Sequence, residues 1–114
     1  MSRIYKILSA SEWEAAKTAE RFDGSAVDLK DGYIHFSTSA QAQETARRHF
    51  HGVEDLVVLS VPVDALGPEL RWEKSRGGDL FPHLYGPLDP YLVEAVTPAP
   101  LGADGVPDLS DLVP

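Results

Sequence analysis

A chain of 114 residues without cysteine is sized for one domain around one hydrophobic core, and it excludes disulfides, thiolate metal sites and a cysteine nucleophile. Eighteen acidic against ten basic residues leave a net charge of −8, which repels phosphate backbones, and the basic clusters Arg47–Arg48 and Arg71 to Arg76 are too short to hold a duplex, so general nucleic-acid binding is not expected. The longest apolar stretch, Leu56 to Val63, is broken by Ser60 and Pro62, and MSRIYKILSASEWE has no apolar run of signal-peptide length, so a cytoplasmic protein with no membrane partner is the expectation.

In chain order, Arg3 to Leu8 (RIYKIL) alternates apolar and polar residues and reads as a first strand. A helix follows, because Ser9 and Ser11 each precede a glutamate by three residues (Glu12, Glu14) in the spacing of a capping box. Trp13, Ala16 and Ala19 lie on helical spacing, and Phe22 with the Asp23-Gly24 turn closes the element. Asp31-Gly32 signals a turn, and Tyr33 to Phe36 reads as a short strand. Thr38 with Gln41 opens a second helix through Ala42, Ala46 and Phe50 to Gly52, whose basic last turn (Arg47, Arg48, His49) suits the negative end of the helix dipole.

Leu56 to Val61 is apolar on both faces and reads as a central strand. Leu70 to Lys74 is a further strand, residues 75–90 a long ordered loop, and Tyr91 to Val96 the last strand. Four prolines and two glycines among the aspartates of residues 98–114 predict an extended tail, draped over the body or disordered. Helices and strands do not alternate strictly, which favours an α+β domain over residues 1–97, followed by the tail at 98–114.

Two segments concentrate chemistry. In Gly32 to Ser39 (GYIHFSTS), a strand ends in hydroxyl residues and runs into a helix. The free N–H groups there, with Ser37 and Thr38, form a ready site for a phosphate or carboxylate. His35 points away from the Ile34 and Phe36 side, with its ring available for a ribose hydroxyl or a proton transfer. The same residues also suit plain helix caps and a hydrogen-bonded core histidine. In Glu73 to Gly86, Gly77-Gly78 lets backbone approach a ligand, and Arg76 can clamp a phosphate or carboxylate. His83 and Tyr85 share a face if that stretch is extended, while the alternative is a loop held by an Arg76 ion pair with Glu73 or Asp79. His49 and His51 face different ways, so they do not form a metal pair, although His35, His83 and a carboxylate could form one.

Taken together, RIYKI, SEWEAA, DGYIHFSTSAQ, DLVVLSV and RWEKSRGGDLFPHLYGPL, covering residues 3 to about 98, resemble the bacterial domain-of-unknown-function family 952. That family is grouped with the ADP-ribosylation-like fold. The resemblance implies a small domain of two short sheets with two flanking helices, binding NAD or an ADP-ribose-like nucleotide in the cleft between the sheets. It further implies a transferase of the ADP-ribosyl or phosphoryl type. Phe36 to Ser39 are similar to the strand-to-helix F-S-T-S pattern of that fold. Transferases of the fold carry a His or Arg on the first strand, and many relatives read IYHI, where this chain has Lys6.

On this reading Lys6 contacts phosphate, His35 and Tyr85 hold a ribose or the leaving base, and Ser37 and Thr38 hold phosphate with the helix start. Arg76, with Gly77 and Gly78, neutralises a pyrophosphate. His83 is the general acid or base. Glu73, although outside any recognisable glutamate motif, supplies the anion beside an oxocarbenium-like transition state. The rival readings are a non-catalytic module for a small anionic ligand or a protein partner, and a metal-dependent hydrolase using His35, His83 and a carboxylate.

Overall fold

Period-2 alternation on the first strand sends Ile4, Lys6 and Leu8 to one side and Tyr5 and Ile7 to the other, and in a computed structural model both sides are buried. Residues 2–112 are described, apart from the side chain of Arg76. Strand β1 (Arg3–Ser9) pairs antiparallel with β3 (Leu56–Pro62), which pairs in turn with β6 (Ala95–Ala99). A second antiparallel sheet has the order β2 (Ile34–His35), β5 (Leu80–Leu84), β4 (Leu70–Lys74). The described residues therefore form a mixed α+β domain with two three-stranded sheets and three helices.

One core joins the sheets, with Ile4, Leu8, Leu59 and Val61 of the first meeting Ile34, Phe36 and Leu84 around Trp13 and Ala16 of helix α1 (Ala10–Ala19). The other lies across β1, where Tyr5, Ile7 and Val58 pack on Ala42 and Ala46 of helix α3 (Ser39–His49). Of the two candidate caps for α1, Ser9 is the one used. Its hydroxyl accepts from the Glu12 N–H at 3.1 Å, and Glu12 accepts back from the Ser9 N–H at 3.1 Å. Thr38 opens α3 with Gln41 answering it, but Phe50 ends the helix short of Gly52.

Three expectations are corrected. Residues 26–31 form helix α2 (Ala26–Asp31), so three helices, not two, flank the sheets. Its six residues are too few to display a helical period, and Gly32 closes it at φ 88°. Residues 75–90 are not a loop throughout, since β5 forms within them as a central strand. Pro82 in its middle masks the strand signal. The Pro82 carbonyl accepts from the Phe36 N–H at 3.0 Å, while proline has no N–H to return. The β2–β5 ladder accordingly stops at His35↔His83.

The last strand is also displaced. Asp89 caps a 3-10 turn over Pro90–Leu92, and β6 begins at Ala95. Aspartate followed by proline at the first helical position is a stronger local instruction than the alternation that follows it. Beyond β6 the chain lies on α3, with Val106 and Leu109 buried and the Gln43 side chain bonded to the Pro107 carbonyl and the Leu109 N–H. Residues 113–114 lie outside the described residues.

Candidate functional site

Past His35 the second strand leaves its own sheet and touches the first. Tyr5 and Ser37 exchange two backbone hydrogen bonds, of 2.8 and 2.9 Å, and the two strands make no further ladder. Where they part, a pocket of about 430 Å³ opens between Lys6–Ile7 on one side and His35–Phe36 on the other. Such a volume is ordinary for a small-molecule site. Its floor is apolar and aromatic, with Phe50 and Phe81 beside Tyr5, while His83, His49, Ser37 and Ser75 supply polar groups.

Asp28 of α2 spans the gap. Its Oδ2 lies 2.7 Å from Lys6 Nζ and accepts the Ser25 N–H at 2.8 Å, and its Oδ1 lies 2.6 Å from His35 Nδ1. The His35 N–H also reaches Oδ1, at 3.1 Å. Asp28 is 1% exposed and Lys6 4%, so a charge here without a partner would be strongly disfavoured. Burial pushes the Asp28 carboxyl upward, but the His35 bond, the Lys6 charge and the Ser25 amide outweigh it and hold the group at about 2. Burial lowers Lys6, and Asp28 offsets part of that effect. The second ring nitrogen of His35, Nε2, lies 3.0 Å from Asp31 Oδ2 at the end of the same helix.

The register places His35 opposite His83, with ring centroids 5.5 Å apart. Tyr33 packs against both rings, at 4.6 and 4.1 Å, and against Tyr85 at 5.1 Å. Behind His83, Glu73 Oε1 lies 2.8 Å from Nδ1 and accepts the Tyr85 hydroxyl at 2.7 Å. Those two bonds hold the Glu73 carboxyl below its usual range, and the second raises the Tyr85 hydroxyl. Arg71, across from His83 on β4, stacks its guanidinium 4.8 Å from the Tyr85 ring centre.

The structure thus draws Lys6, His35, Ser37 and His83 to one pocket and places Glu73 and Tyr85 directly behind His83. Thr38 caps α3, its N–H donating to Gln41 Oε1 at 3.0 Å, and it does not line the pocket. Ser37 Oγ sits 3.0 Å from Thr45 Oγ1. Gly77 and Gly78 form a turn at positive φ, 69° and 84°, beside the pocket residue Ser75. The Arg76 side chain lies outside the described residues. His49 is in the pocket wall, whereas His51 reaches the Asp104 carbonyl. Among the described residues no three His, Asp or Glu side chains are grouped as a metal-ligand set. His35 meets a carboxylate at each nitrogen, and His83 meets one at Nδ1.

Sequence reasoning missed Asp28, Asp31, Tyr33 and Arg71. Tyr33 was within reach, because the strand expected over Tyr33 to Phe36 puts it two residues before His35 and on the same face. Asp28 carries no local signal beyond its spacing from Ser25.

Residues 7–96 match the family described as protein of unknown function DUF952. The crystal structure of protein CC0527 from Caulobacter crescentus is 55% identical, with 96% of each chain covered and a TM-score of 0.94. A solution structure of CC0527 is 56% identical over 97% of this chain and 96% of that one, with a TM-score of 0.87. No curated protein matches the chain significantly. With a family match over most of its length and relatives more than half identical, the chain belongs to the DUF952 family.

Proposed function

We propose that the cleft between the sheets binds a small anionic ligand of the nucleotide class, with NAD or an ADP-ribose-like molecule the leading candidate. The observation that carries this reading is the pocket between the parted strands, which combines an aromatic floor with Lys6, His35, His49 and His83. Aromatic walls suit a base or a nicotinamide ring, and the polar side chains among them suit hydrogen bonds to ribose or phosphate. Two small three-stranded sheets with a cleft between them also agree with the ADP-ribosylation-like fold that the sequence resemblance implies. On that fold His83 would serve as acid or base in a transfer reaction.

Titration calorimetry with NAD and ADP-ribose at millimolar concentration tests the proposal. Binding that weakens tenfold or more in His35→Ala supports it, a change of about 1.4 kcal/mol. No heat from either ligand overturns it. Binding without turnover would identify the non-catalytic module, a reading favoured by the engagement of Lys6 and His35 with Asp28.

A further inference from the structure

His83 is 4% exposed, lines the pocket, and holds its Nδ1 2.8 Å from a Glu73 oxygen that also accepts the Tyr85 hydroxyl. A carboxylate can only accept, so this bond requires the proton to sit on Nδ1. The neutral imidazole then presents a bare lone pair at Nε2, the nitrogen left for a molecule in the pocket.

We infer that Glu73 and Tyr85 form a positioning pair that locks His83 as the Nδ1–H tautomer, leaving Nε2 as the proton acceptor of the pocket. This assigns Glu73 a different role from the transition-state anion expected from sequence, because the carboxylate acts through His83 and need not touch a ligand. The inference rests on the pocket being the functional site, but not on which ligand fills it.

The chemistry it supports is general-base activation of a hydroxyl or water beside a bound ligand. The O–H bond breaks, its proton goes to Nε2, and the oxygen keeps the electron pair with which it attacks the ligand. As the new bond forms, the bond from the attacked atom to the departing group breaks and its electron pair goes to that group, which takes the proton from Nε2 of the imidazolium still bonded to Glu73. Tyr33, stacked 4.1 Å from His83, restricts the ring from the side, and Tyr85 keeps the Glu73 oxygen aimed at Nδ1. His35 is poorly suited to the same task, since each of its nitrogens already faces a carboxylate.

The test is the imidazole nitrogen spectrum of the ligand-free protein, recorded with 15N-labelled histidine through long-range 1H–15N couplings. The His83 signals are assigned by their loss in His83→Gln. For neutral His83, the expected result is a protonated Nδ1 and a bare Nε2. Glu73→Ala should abolish that preference and give the Nε2–H form or a mixture, while Tyr85→Phe, which keeps the carboxylate but loosens its aim, should keep Nδ1–H as the major form with a larger Nε2–H share than the parent. The amide spectrum of each variant reports whether it is folded. A bare Nδ1 in the unmodified protein, or an Nδ1–H form unchanged in folded Glu73→Ala, overturns the inference. Failure of NAD and ADP-ribose to bind would overturn the ligand assignment alone and leave this result standing.

Discussion

Replacing Asp28 by Asn keeps the shape of the side chain and removes one charge from a buried position bonded to Lys6, Ser25 and His35. Lys6, 4% exposed and 2.7 Å from that carboxylate, would be left as a buried ammonium without its counter-charge. Loss of one partner of a buried pair costs about 3–5 kcal/mol. The carboxyl itself gives a second figure. Its displacement from 3.8 to about 2 corresponds to about 2 kcal/mol. An Asn side chain keeps one acceptor oxygen, which can serve Ser25 at the Oδ2 position or His35 at the Oδ1 position but not both, while its NH2 group faces the remaining donors, so the expected loss stays inside that range, about 4 kcal/mol.

Such a loss is a large share of a typical domain stability of about 5–15 kcal/mol. Urea unfolding should therefore show a lower midpoint with an unchanged slope. In Lys6→Met/Asp28→Asn the orphaned charge is gone, so the double variant should recover at least about 1 kcal/mol over Asp28→Asn. A single variant within about 1 kcal/mol of the parent, or two substitutions that simply add, would refute the claim that the pair is an electrostatic unit.

Acid should act through the same carboxylate. Because its folded value is depressed, the stabilisation is complete above 3.8 and drains away as pH falls toward about 2. Unfolding midpoints measured between pH 5 and pH 2 should decline less steeply for Asp28→Asn than for the parent over that window. On helix α3, Gln43→Ala removes both side-chain bonds to the tail and should cost about 1–2 kcal/mol. Hydrogen exchange at the Leu109 amide should accelerate in that variant, and an unchanged rate would show that the tail is held by Val106 and Leu109 packing alone.

What could be read from the sequence was what local chemistry determines. The Ser9–Glu12 and Thr38–Gln41 capping pairs named both longer helices, because a cap needs no knowledge of the rest of the chain. The alternation of β1 and the apolar run of β3 did the same for those two strands. Helix α2 and strand β5 were hidden for opposite reasons. The first is too short to show a period, and the second carries a proline that local rules place at sheet edges. In the site, residue types pointed to His35, His83 and Glu73, but their joining depends on the register His35↔His83 and Glu73↔Phe81. Asp28 was invisible because its partners come from β1, β2 and the turn before α2, a convergence that no spacing along the chain expresses.

The tie that Asp28 makes has a consequence for how the cleft meets any occupant. The strands are joined at one end by the Tyr5–Ser37 bonds and at the other by a carboxylate already bonded to Lys6, Ser25 and His35. Both fastenings are supplied by the protein, so the shape of the mouth is preorganised. An entering molecule needs to order little of the chain around it, and the free energy of its contacts goes mainly to affinity and discrimination. By the same token a molecule broader than the gap would have to break a buried ion pair to enter.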